Sequence, residues 1–131
     1  MSLYPKGHID TMSHIVQIQT KIYDQSAVTA ACRRLALTEP VHGTAELFSG
    51  KATGLLLQLP GWKYVAVIDT ASGTVKFDNY GGRWGNQCHL DKFVQMYAVE
   101  KAKIEGRKRG HTVSETALQD GSILVRVQVE S

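Results

Sequence analysis

The chain has 131 residues, 43% of them hydrophobic, and a formal net charge of +3 at pH 7. That length is near the modal size of one domain and can bury a core without disulfides or metals, so a single domain over residues 12–131 is expected behind an arm at residues 1–11. Cys32 and Cys88 stand in no CxxC or paired-staple spacing. No apolar run reaches transmembrane length and the N-terminal segment lacks the apolar core of a signal peptide, which predicts a reduced, cytoplasmic protein away from membranes.

The positive charge is local. Lys101, Lys103, Arg107, Lys108 and Arg109 face Glu105 alone in the segment that ends at His111. A protein that lives on DNA more often spreads positive charge over a whole face.

Pro5 and Gly7 interrupt an aperiodic start, and Met12 offers an alternative start of translation. Alternation begins at His14, with Val16, Ile18 and Ile22 against Gln17, Gln19 and Lys21, which predicts a half-buried strand. Asp24 or Ser26 can cap a first helix whose apolar stripe is Val28, Ala31, Cys32 and Leu35, which puts Cys32 in the core. After the Glu39-Pro40 break, short strands are expected over 45–49, 54–59, 64–69 and 74–78, punctuated by Gly50, Pro60-Gly61 and Ala71-Ser72-Gly73. Leu55-Leu56-Leu57 and Val65-Ala66-Val67-Ile68 are dense enough for central strands covered on both faces over part of their length.

A second helix is expected from Gln87 to Glu105, about 28 Å long, with Leu90, Phe93, Val94, Tyr97, Ala98, Lys101 and Ile104 inward and Gly106 as its stop. Two closing strands, 111–118 and 122–130, meet at the hairpin signal Asp120-Gly121. This order predicts an α+β fold: a mainly antiparallel sheet with two amphipathic helices on one face, a ferredoxin-like sandwich. The opposite sheet face, if apolar, then needs a second copy or a partner to cover it.

Between the last central strand and the second helix lies Asp78-Asn79-Tyr80-Gly81-Gly82-Arg83-Trp84-Gly85-Asn86, too rich in glycine and aromatics for a generic linker. Tyr80, Gly81, Gly82, Arg83, Trp84 and Asn86 form the candidate ligand- or partner-binding site. Backbone N–H groups ahead of a helix, with the Arg83 fork, can hold an anion, although Gly-Gly also serves simply to fold Tyr80 and Trp84 back onto the sheet. The basic patch Lys101, Lys103, Arg107, Lys108 and Arg109 can meet RNA or an acidic partner, with Trp62, Tyr64, Tyr80 and Trp84 as stacking faces. The competing reading is a solvated helix end that complements the dipole. Histidines at 8, 14, 42, 89 and 111 are scattered and predict no metal site. Cys88 near a helix start invites a reactive-thiol reading, but no base or oxyanion arrangement accompanies it. Asp69, Asp78 and Glu46 invite general acid/base chemistry if they converge, although turn chemistry accounts for them equally.

Several of these segments together resemble a known family. Met12-Ser13-His14-Ile15, Leu59-Pro60-Gly61-Trp62, the stretch from Asp78 to Gly85, Tyr97-Ala98-Val99-Glu100-Lys101-Ala102-Lys103 and Asp120-Gly121-Ser122-Ile123 are similar to an uncharacterised family of unknown function. That family includes a hypothetical reading frame, frame thirty-five, of chloroplast and cyanobacterial genomes. The resemblance spans residues 12–129 and implies no assigned chemistry; the arm before Met12 departs from its pattern.

No metal-ligand spacing, nucleophile motif or phosphate loop is present, so the sequence favours binding over catalysis and predicts no cofactor. The expected function is a non-enzymatic module for protein–protein contact or self-association, most simply as a homo-oligomer. RNA or phosphate-ligand binding is the second expectation, and an enzyme acting on a small anionic substrate beside Arg83 the third.

Overall fold

The computed structural model describes residues 15–128; the arm at residues 1–11, the proposed start at Met12 and the last three residues lie outside them. In chain order the elements are β1 (Val16–Gln19), α1 (Gln25–Arg34), β2 (Val41–Leu47), β3 (Gly50–Leu57), β4 (Ala66–Asp69), β5 (Thr74–Phe77), a 3-10 turn at Tyr80–Gly82, α2 (Gln87–Lys108), β6 (Thr112–Ala117) and β7 (Ile123–Gln128).

The α+β class is as the periodicity indicates. β1 to β5 form one antiparallel sheet in the order β1-β5-β4-β3-β2, with registers such as Ile18 opposite Val75 and Leu55 opposite Ile68. This is a four-strand meander closed by β1, whereas a ferredoxin-like sandwich interleaves its strands through parallel crossovers; the layers match that expectation and the connectivity departs from it. β6 and β7 form a separate hairpin that packs on α2 instead of extending the sheet.

Both helices cover the same sheet face. Ala27, Val28, Ala31 and Cys32 of α1 and Leu90, Phe93 and Tyr97 of α2 bury against Leu55, Leu57, Ala66, Ile68, Val75 and Phe77. Burial pushes the Cys32 thiol up to about 11, with the Glu39 charge adding to it. Asp24 caps α1 by accepting from the Ser26 and Ala27 N–H groups, and Asn86 caps α2 by accepting from that of Cys88, as short oxygen-bearing side chains do at helix starts.

The helix α2 runs past Gly106, which is not its stop. A Cβ at Gly106 would meet Val113 at 2.5 Å, so the missing side chain admits the β6–β7 hairpin. The helix closes at Gly110 instead, where φ is 77°. There the Gly110 N–H donates to Arg107 C=O and the His111 N–H to Gly106 C=O, the paired bonds that satisfy last-turn carbonyls.

The second sheet face is roofed in part by the chain itself, which corrects the expectation that a partner must cover it. β3 pairs with β4 only from Leu55 onward, and a Cβ at Gly54 would collide with the Ile68 carbonyl. Beyond that point the β2–β3 hairpin crosses the sheet. Its tip brings Gly50 to Ile15 beside β1 and Phe48 to Trp84. Beneath it Leu47, Ala52 and Val67 are buried among Ile15, Ala45, Leu56, Tyr64 and Val65, leaving Val67 only 1% exposed.

Candidate functional site

The turn after β5 is built around Asn79. Its side-chain Nδ2 donates to Gly85 C=O at 3.2 Å and to Gln87 Oε1 at 3.1 Å, and its own carbonyl accepts from the Gly82 and Trp84 N–H groups, both at 3.0 Å. Arg83 N–H donates to Tyr80 C=O and Lys63 N–H to Trp84 C=O. The N–H groups of Gly82, Arg83 and Trp84, candidates for holding an anion, are thus used inside the turn, and that of Cys88 goes to the Asn86 cap. Gly81 and Gly82 supply the positive φ values of the turn and Tyr80 a third, a conformation that costs a non-glycine residue of order 1 kcal/mol.

What the turn presents is aromatic. The Trp84 ring has Tyr80 at 4.7 Å, Phe48 at 5.1 Å and Tyr64 at 5.5 Å between centroids. Lys63 Nζ sits 4.6 Å from the Trp84 centroid and the Arg83 guanidinium 5.2 Å from that of Tyr80. Tyr64, Tyr80 and Trp84 are half-buried, and Phe48, Lys63 and Arg83 are exposed. Such geometry draws the ring quadrupole to a cation. Trp62 does not join them. It is buried, edge-on to Phe77 at 5.8 Å, and its Nε1 donates to Asn86 C=O at 3.0 Å.

Phe48 and Lys63 were not legible as site residues. Phe48 lies on a hairpin tip with an ordinary turn sequence, and only the crossing of that hairpin over the sheet brings it to Trp84.

The five cations of the basic segment divide into two sets. Lys101 bonds Asp24 at 3.0 Å and Glu105 at 3.1 Å, which holds its ammonium above, and both carboxyls below, their ordinary ranges. Lys103 bonds Glu100 at 3.3 Å and Glu115 at 3.2 Å. Those acids also receive the Arg34 fork: Nη1 donates to Glu100 at 2.8 Å and Nη2 to Glu115 at 2.6 Å. The Arg34 bond first and Lys103 next hold the Glu115 carboxyl down at about 2. Lys101 and Lys103 therefore fasten α2 to α1 and β6, while Arg107, Lys108 and Arg109 are exposed at the helix end.

The carboxylates do not converge. Glu46 pairs across the hairpin with Lys51, and Asp69 accepts from the Ala71 N–H in the β4–β5 turn. Asp78 is 1% exposed with both carboxylate oxygens unpartnered. Among the described residues no cluster of His, Cys, Asp and Glu could hold a metal ion, and no helix is long and apolar enough to cross a membrane. Comparison with known proteins finds no matching family model, curated protein or solved structure.

Proposed function

We infer that this chain is a non-enzymatic binding or assembly module that joins copies of itself or another protein, and that it belongs with the uncharacterised family it resembles. The observation that carries the reading is Trp84. Its ring is packed on three other aromatic rings yet still reaches the surface, with Lys63 and Arg83 beside it. Aromatic and arginine side chains in one packed patch are the composition that dominates binding energy at protein interfaces. Phe48 at 46% exposed and Val41 at 70% exposed extend apolar surface along the same hairpin.

Light scattering on the eluting peak, from micromolar to millimolar protein, tests the reading. Mass that rises with concentration, or a protein partner whose retention falls with Trp84→Ser, supports it. A chain that remains monomeric and retains no partner sensitive to Trp84→Ser sinks it.

A second reading, RNA or phosphate-ligand binding, is favoured by the cations over the Tyr80 and Trp84 rings, since single strands bind where stacking faces adjoin positive charge. Its signature is affinity for single-stranded RNA that falls steeply with salt and drops when Lys63 and Arg83, the cations over those rings, are both changed to Glu.

A further inference from the structure

Sheet edges are the places where a chain can add another strand, and the two edges here are unequal. β1 is a four-residue edge, whereas β2 is a seven-residue edge that holds no Pro, Lys or Arg, the residues that commonly block such pairing. Among the described residues its backbone bonds only to β3.

The phase of the free edge follows from one side-chain contact. Thr44 Oγ1 and Thr53 Oγ1 lie 2.7 Å apart, and these residues are directly opposite. Side chains come this close in the non-hydrogen-bonded pairs of an antiparallel ladder. By alternation, Gly43, Ala45 and Leu47 bond inward to β3, while His42, Thr44 and Glu46 turn their N–H and C=O groups outward.

Resting on the assembly reading and naming its partner, we propose that β2 pairs antiparallel with β2 of a second copy on a two-fold axis at Thr44. In that register Thr44 exchanges both backbone bonds with Thr44 of the second copy. His42 and Glu46 exchange theirs with Glu46 and His42 of the second copy. The His42 imidazole N–H then stands beside a carboxylate acceptor on each side of the axis. On the opposite face the exposed Val41 comes to lie beside Leu47 of the second copy.

Other two-fold registers with the same outward phase are poorer: an axis at Gly43 sets Glu46 against Pro40 and one at Ala45 sets Glu46 against Thr44, so both lose the His42–Glu46 pairing. An axis at Glu46 sets two carboxylates opposite each other, which is repulsive. An axis at His42 sets Thr44 against Pro40, which has no N–H to donate. The pairing is isologous, so it closes at two copies and continues the sheet through both.

Sedimentation equilibrium on the whole chain tests this with three variants. The expected wild-type mass is twice 14.4 kDa. Thr44→Pro removes an outward N–H and leaves the β3 ladder intact, so it should run as a monomer with an unchanged far-UV spectrum. Glu46→Lys should weaken association roughly tenfold, because the axis counts the change twice. Adding His42→Glu to Glu46→Lys should restore it, which a merely misfolded variant would not allow. Dimers indifferent to Thr44→Pro and Glu46→Lys overturn the edge pairing and leave the assembly reading in place, with the Trp84 patch as its surface. Masses that climb beyond two copies overturn the two-fold register. A wild type monomeric at every concentration overturns the pairing and leaves the assembly reading only as capture of another protein.

Discussion

Gly85 and Trp62 lie against each other so closely that a methyl group on Gly85 would overlap the indole ring, while the indole Nε1 donates to the next residue, Asn86. The contact joins the β3–β4 connection to the start of α2 and holds the aromatic turn between them. Gly85→Ala is therefore expected to cost about 1–3 kcal/mol, the usual penalty of overpacking, and to change the near-UV signal of the tryptophans. Urea denaturation checks the first and circular dichroism the second; an unaffected midpoint would show that the turn yields freely.

The Arg34–Glu115 bond predicts an acid limb in stability. The Glu115 carboxyl sits at about 2 in the folded chain against an ordinary 4.5. A depressed carboxyl contributes stability that is complete above pH 4.5 and is lost as pH falls toward 2. Asp24 and Glu105, also lowered, act in the same direction. Glu115→Gln should be less stable than wild type at pH 7 by about 1–2 kcal/mol, between exposed and buried pairs. The gap should narrow steadily between pH 4.5 and 2. Thermal melts across that range read it directly, and a constant gap would contradict the assignment.

Lys103 and Arg109 belong to one basic segment but to different structures. Lys103→Met removes bonds to Glu100 and Glu115 and should cost about 1–2 kcal/mol. Arg109→Gln, at an exposed position, should stay within about 0.5 kcal/mol of wild type. Equal losses in paired urea titrations would contradict this division.

Ala36 follows α1 with φ at 56°, and the Leu37 N–H beyond it donates to Cys32 C=O at 2.8 Å. That is the position where helices usually place glycine. Ala36→Gly should stabilise the fold by about 0.5–1 kcal/mol, visible as a higher melting temperature.

Asp78 is buried with no hydrogen-bond partner, which is costly for a carboxylate. Asp78→Leu keeps the branching and replaces the unpartnered oxygens with apolar atoms, so stability should rise by about 1–2 kcal/mol. A loss instead would reveal a partner for the carboxylate in solution.

The residues themselves announced most of the elements. The stripe Val28, Ala31, Cys32 and Leu35 marks α1 and leaves Asp24 or Ser26 as its cap, because a short oxygen-bearing side chain before an apolar stripe satisfies free N–H groups in one turn; the structure decides for Asp24. Val65 to Ile68 marked a central strand because a run without alternation is tolerated only where both faces are covered. Asp120-Gly121 marked the last hairpin, where Gly121 has φ at 89°. Each of these signals acts over a few residues, within the reach of one turn of backbone.

The tertiary structure decided what that reach excludes. Gly106 reads locally as a helix stop, but Val113 and Val127 pack over it and the helix continues. Lys101 reads as an inward-facing break in the apolar stripe and a member of the basic patch, but its partner is Asp24, 77 positions away. The second sheet face, if apolar, was expected to need a second copy or a partner as cover, but the β2–β3 hairpin leaves β4 at Gly54 and carries Phe48 across to Trp84. Periodicity determines which side of an element turns inward, whereas the neighbour it meets depends on strand order and bend, which only the folded chain sets.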